Sequence, residues 1–123
     1  MEKIIFILFA ALFSLWGREN TILDQSLQKE CLQCHTQQQI PSEMIYRRYL
    51  LKYSSKALIR KKIFAYFKAP SPEVSIMPAP FFKKFPIKKR SSLDDQTLKE
   101  LIDAYIRKFD VDKKIYIIPE KTD

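Results

Sequence analysis

Hydrophobic positions along this chain fall into four stretches of helical period, interrupted by one long segment that has none. Residues 21–30 set Ile22, Leu23 and Leu27 among polar neighbours, the mark of a short amphipathic helix. Thr21 and Asp24 stand at capping-box spacing at its start, with Asp in place of the usual Glu. From Ser42 to Tyr53, the residues Tyr46, Tyr49, Leu50 and Tyr53 recur at the spacing of one buried helical face. Ser54 and Ser55 can cap a third helix, Lys56 to Lys68, with Ile59, Ile63, Tyr66 and Phe67 inward; Pro70 and Pro72 stop it. Ser92 with Asp95 opens a last helix to Phe109, whose Leu98, Leu101, Ile102, Tyr105 and Phe109 form an apolar stripe. The tail from Lys114 to Ile118 is short and β-prone, ending at Pro119. The fold class expected is mainly α.

The segment without period is residues 69–90, which holds five of the seven prolines: Pro70, Pro72, Pro78, Pro80 and Pro86. Its Ile76, Met77, Phe81, Phe82 and Phe85 are too many apolar residues for a solvated linker. So long a loop in so small a domain needs something packed beneath it. A flat cofactor would meet that need.

The N-terminus is of another kind. After Met1-Glu2-Lys3 comes an apolar run from Ile4 to Trp16, broken only by Ser14, then Gly17 and the polar Arg18-Glu19-Asn20-Thr21. That run suits the core of a secretory signal and falls short of the roughly 20 residues a membrane-spanning helix needs. Residues 1–17 are therefore expected to be a signal peptide, with an uncleaved anchor as the alternative because Leu15-Trp16-Gly17 is a poor cleavage site. Residues 18–123 then form a single domain, since 123 residues leave no room for a second sizeable core. Lys and Arg number 22 against 14 Asp and Glu, a formal charge of +8. In an exported protein, expected in the periplasm, such a charge meets membranes and protein partners, so nucleic acid is set aside.

Both cysteines and the only histidine lie in one pentapeptide, Cys31-Leu32-Gln33-Cys34-His35. This is the attachment pattern of c-type haem. Two thiols must add across two vinyl groups of one porphyrin, and a gap of two residues in a helical turn brings both sulfurs to the same side. His35 follows at once and offers a nitrogen to the iron. A thiol redox pair would want a βαβ pattern, which the sequence lacks; a zinc knuckle would want a fourth Cys or His, also lacking. Covalent haem c, one per chain, is the cofactor expected.

A second axial ligand must come from Met or Lys, since no further His exists. Met44 lies nine residues beyond His35, within the second helix; Met77 lies 42 residues beyond, in the proline-rich loop. Pro78 and Pro80 restrict the backbone there and lower the entropy cost of holding a thioether on iron. Met77 is the expected distal ligand and His35 the proximal one, with an open or Lys-occupied iron position, Met77 filling the core, as the alternative.

A short helix before Cys-x-x-Cys-His, a Met-Pro loop about forty residues later and a capped amphipathic C-terminal helix together resemble a class I c-type cytochrome. The resemblance covers essentially the whole chain after residue 17. The run Ser92-Leu-Asp-Asp-x-x-Leu-x-x-Leu-Ile-x-Tyr-Ile106 looks like that family's last helix. It implies a cytochrome c-like helical domain around one haem, with Cys31 and Cys34 as thioether donors and His35 and Met77 on the iron. It also implies that Leu23 and Leu27 pack against Leu101, Ile102 and Tyr105, and that the carbonyl of Pro41 meets the other His35 nitrogen. The family usually places Gly at the helix crossing and near the haem; here the only Gly is Gly17.

Lys83, Lys84, Lys88, Lys89 and Arg90 follow the Met77 loop, and Arg60, Lys61 and Lys62 lie on the third helix. In related cytochromes such a basic rim docks acidic redox partners; a terminal oxidase, a peroxidase or a membrane redox complex would fit. Attraction to an anionic membrane surface is the competing reading of the same charge. No carboxylate pair, Ser/His/Asp set or phosphate-binding Gly loop suggests an enzyme. The function expected is electron transfer in a respiratory chain, the alternative being a haem sensor or enzyme with an open iron position.

Overall fold

A computed structural model describes residues 22–114. The signal segment with its boundary at Gly17, Thr21 of the capping box, and the β-prone tail after Lys114 lie outside the described residues. Within them the protein is mainly helical, and no strand is present. Helix α1 spans residues 22–37 and includes a π-helical segment, Gln28–Leu32. Helices α2 (Ser42–Tyr53), α3 (Lys56–Lys68), α4 (Phe81–Lys84) and α5 (Asp95–Phe109) follow, then a 3-10 turn, Asp112–Lys114.

Each boundary has a local cause. The Ser55 hydroxyl accepts from the Leu58 amide at 3.4 Å and caps α3, as the sequence predicts. Helix α5 is capped two residues later than the Ser92–Asp95 box implies. Asp94 is its N-cap, accepting from the Thr97 amide at 3.0 Å and from the Thr97 hydroxyl at 2.6 Å. Just before the helix, the Ser91 amide donates to the Phe67 carbonyl at 3.0 Å and ties the loop's end to α3.

The two tight C-caps are made without glycine. Gln39 and Ser54 both take a left-handed backbone, each with φ of 56°. At Gln39 the Ile40 amide reaches the His35 carbonyl at 3.1 Å and the Gln39 amide reaches Thr36 at 3.3 Å, the pairing of a Schellman motif. A Cβ in this region costs about 1–2 kcal/mol, part of which Gly gives back through its freer unfolded chain. Gln39→Gly and Ser54→Gly are each expected to stabilise the fold by about 0.5–1 kcal/mol. Thermal melts should show the rise in Tm.

Helix α3 packs on α2 and on α5, and α2 also touches α5. Tyr46, Ile59, Leu98 and Leu101 are fully buried at the centre of this packing. Each such side chain contributes about 1.5–3 kcal/mol by leaving water. Leu27 and Cys31 of α1 join the same core, and Leu23 lies half-buried against it. The first and last helices therefore share one core, as expected of Leu27 with Leu101, Ile102 and Tyr105. Ile45 and Ile106 are buried too and widen the stripes read from the sequence. The Tyr105 hydroxyl donates to the Ser42 carbonyl at 2.9 Å, fixing the start of α2 to α5.

Charge reinforces the α3–α5 pairing. Lys56 meets Asp110 at 2.7 Å and Asp112 at 2.5 Å, Arg60 meets Asp103, and Lys68 meets Asp95 at 2.7 Å. Numbers rise on one helix as they fall on the other, so the two run antiparallel. Arg60, though exposed, is thus paired across the helices and is not an unpaired cation of a basic rim.

Candidate functional site

The pentapeptide sits on the last turns of α1. Cys31 belongs to the π-helical segment, while Cys34 and His35 lie on the α-helical turn that follows, Gln33–Gln37. Such single-turn widenings of a helix occur frequently at functional sites. Both cysteines are free thiols, Cys31 buried and Cys34 exposed. The two thiols and His35 line one cavity of about 460 Å³. That lies within the range of about 300–1,000 Å³ typical of small-molecule and cofactor sites.

Met77 lines the same cavity. It reaches there because the 69–90 loop folds back over the core, with Ile76 and Met77 half-buried against it. The Met77 amide donates to the Ser75 hydroxyl at 3.1 Å, a short serine turn that sets the backbone just before Pro78. Phe81 packs on Phe85 with ring centroids 4.9 Å apart, and Phe81 also lines the cavity. Met44 is on the outer side of α2, half exposed, and is not among the cavity's walls. Of the two candidate thioethers, only Met77 is brought together with the pentapeptide.

The remaining walls are mainly aromatic and aliphatic, among them Tyr49 from α2, Ile63, Tyr66 and Phe67 from α3 and Tyr105 from α5, with Glu30 and Gln38 of the α1 end also lining the cavity. Lys88 and Lys89 stand at the cavity as well, and the Lys88 ammonium lies 4.8 Å from the centre of the Phe67 ring. Periodicity marks Tyr49, Ile63, Tyr66, Phe67 and Tyr105 as inward-facing; that they meet at this cavity, with Lys88 and Lys89, follows from tertiary placement. Ser75 was within reach of sequence reasoning: a serine two residues before the methionine is the signature of the turn it makes.

The surroundings set the protonation states. Burial pushes the Cys31 thiol up to about 12, against the opposing pull of Lys88. Burial, helped by the Lys88 charge, holds the His35 imidazole below its ordinary value, so it is neutral and able to offer a lone pair. A thiol exchange site needs the reverse for its cysteine, a lowered pKa and access. Among the described residues, no three His, Cys, Asp or Glu side chains are placed to share a metal ion.

The Nδ1 atom of His35 is buried and has no hydrogen-bond partner among the described residues. The Pro41 carbonyl accepts instead from Met44 at 2.9 Å and Ile45 at 3.4 Å, as the first acceptor of α2. The expected pairing of Pro41 with the imidazole is therefore absent. His35 also borders a second cleft of about 420 Å³, shared with Thr36, Pro41 and Phe109.

What the arrangement offers chemically is specific. Two free thiols, one neutral imidazole and one thioether, from segments 42 residues apart, converge on one mainly apolar space. Compared with protein-family models, with curated proteins and with solved structures, the chain finds no match.

Proposed function

We propose that this protein is a periplasmic single-haem c-type cytochrome that carries electrons between respiratory redox partners. The observation that carries the reading is the convergence of Cys31, Cys34, His35 and Met77 on one apolar cavity. The donor set fits haem c: reduced thiols for two thioethers, a neutral imidazole and a thioether as axial ligands. Cys31 and Cys34 would hold the group covalently, His35 as proximal and Met77 as distal ligand, in a cytochrome c-like helical domain. Bound haem supplies a one-electron ferric–ferrous couple.

The chain's own residues do the rest. Tyr49, Ile63 and Phe67 exclude water from the cavity, which disfavours added charge on the group it encloses. Ser75 and Pro78 hold the Met77 backbone in one conformation, so presenting the thioether costs little further entropy. Lys88 and Lys89 at the cavity, with Lys83, Lys84 and Arg90 beside them in sequence, favour acidic partners and speed their encounter. None of these five cations meets a carboxylate among the described residues. No substrate bond is made or broken in this reading, so the protein is a carrier and not an enzyme.

Optical spectra of protein made in cells with c-type haem maturation machinery test it. A c-type pyridine haemochrome, a far-red methionine–iron band and no response of the reduced form to carbon monoxide are expected. Covalent haem that takes up carbon monoxide at once would replace the carrier with a sensor or enzyme. Absence of haem after maturation would sink the reading altogether.

A further inference from the structure

Apart from Arg47, which pairs with Glu43 on its own helix, the cations of the α2–α3 hairpin divide into two sets. Lys56, Arg60 and Lys68 turn toward α5 and pair with its carboxylates or with Asp110 and Asp112 just after it. Arg48, Lys52, Lys61 and Lys62 are exposed and meet no carboxylate among the described residues. Between Ser42 and Lys68 the only acidic residue is Glu43, which is occupied by Arg47 at 3.2 Å and Lys114 at 2.7 Å. The outer set is also gathered. Lys52 from α2 and Lys62 from α3 approach the same Tyr53 ring, 5.5 Å and 5.6 Å from its centre. Arg48 lies one turn before Lys52, and Leu58 one turn before Lys62.

Apolar side chains are interspersed on this exposed ground. Leu51, between Arg48 and Lys52 in the chain, is 87% exposed, and Leu58 is 37% exposed. Leucines left in water among unpaired cations on a two-helix face match the boundary of an anionic bilayer. The ammonium and guanidinium groups would meet phosphates there while their stems and the leucines enter the acyl edge. We propose that the outer face of the α2–α3 hairpin, carrying Arg48, Leu51, Lys52, Leu58, Lys61 and Lys62, docks on an anionic lipid surface. An acidic protein would satisfy the same charges, so its capture without lipid binding counts against this assignment. The inference is independent of what fills the cavity, because none of the six residues lines it.

Cosedimentation of the chain from residue 18 on, the form expected after signal cleavage, tests the surface with vesicles of equal parts phosphatidylglycerol and phosphatidylcholine against phosphatidylcholine alone. Binding is expected to the anionic vesicles and to weaken steeply with salt. Changing Arg48, Lys52, Lys61 and Lys62 together to Gln should weaken it by about tenfold or more, since each basic residue near such a surface adds appreciably. Leu51→Ser with Leu58→Ser should weaken it several-fold, and both variants should keep the wild-type circular dichroism. Changing Lys83, Lys84, Lys89 and Arg90 to Gln is the matched control and should leave most of the binding. Loss in that control without loss in the first variant would overturn the assignment. So would equal binding to neutral vesicles, salt-independent binding, or capture by polyglutamate with no binding to lipid.

Discussion

Changing Cys31 and Cys34 together to alanine is expected to abolish haem on the denatured chain, while the helices persist. The wild type, matured in cells that attach c-type haem, should stain on a denaturing gel and weigh one haem more than its sequence. The double variant should do neither. Two effects separate attachment from folding here. Alanine is a better helix former than cysteine, so α1 is not weakened by propensity. Cys34 is exposed, and its loss leaves no void; Cys31 is buried, so its truncation costs some packing. The single variants refine the test. Cys34→Ala should fold as the wild type and retain haem through one thioether, with a shifted pyridine haemochrome band. A wild-type chain without added mass would overturn covalent attachment outright. The result would then favour the thiol reading, although burial keeps the Cys31 thiol protonated and poorly suited to exchange.

How much of this could be read in the sequence depends on how local each cause is. Helix α2 begins and ends where its period places it and α3 begins where Ser55 caps it, because those signals act within a turn. Helix α1 outruns its expected end at residue 30 because the pentapeptide is itself helical, and its apolar content is too thin to show a period. Helix α4, four residues after Pro80, is shorter than any period can register. The left-handed caps at Gln39 and Ser54 are hidden for a different reason: without glycine to mark them, nothing in the residue type flags a positive φ. The candidate site follows the same division. Cys31, Cys34 and His35 declare their chemistry by spacing, and Met77 by its place among prolines. Tyr66, Phe67 and Lys88 become wall residues only once α3 and the loop are packed together. Arg60 shows the converse, since its surface ion pair with Asp103 on α5 partners a charge that the sequence alone leaves unpaired.

Met77→Ala carries the second large effect, on ligand state rather than attachment. Reduced protein that ignores carbon monoxide should, in the variant, bind it on mixing, and the oxidised far-red band should disappear. The reduction potential should fall, because a neutral thioether favours reduced iron, within the span of about 0.8 V that axial ligands command. Met77 lies outside every helix and is only half-buried, so the helical core should survive the truncation and circular dichroism should be unchanged. Met44→Ala removes a half-exposed side chain remote from the cavity walls and should alter none of these signals. Ser75→Ala is the intermediate case. It removes the acceptor of the Met77 amide while leaving the thioether in place. A loop so loosened should release the iron more readily, giving slow carbon monoxide uptake between the two extremes. If Met77→Ala and the wild type share one spectrum, the thioether is a core side chain, and the iron position is open or held by lysine. If Ser75→Ala alone matches the wild type, Pro78 and the packing of Ile76 hold the loop without the serine turn.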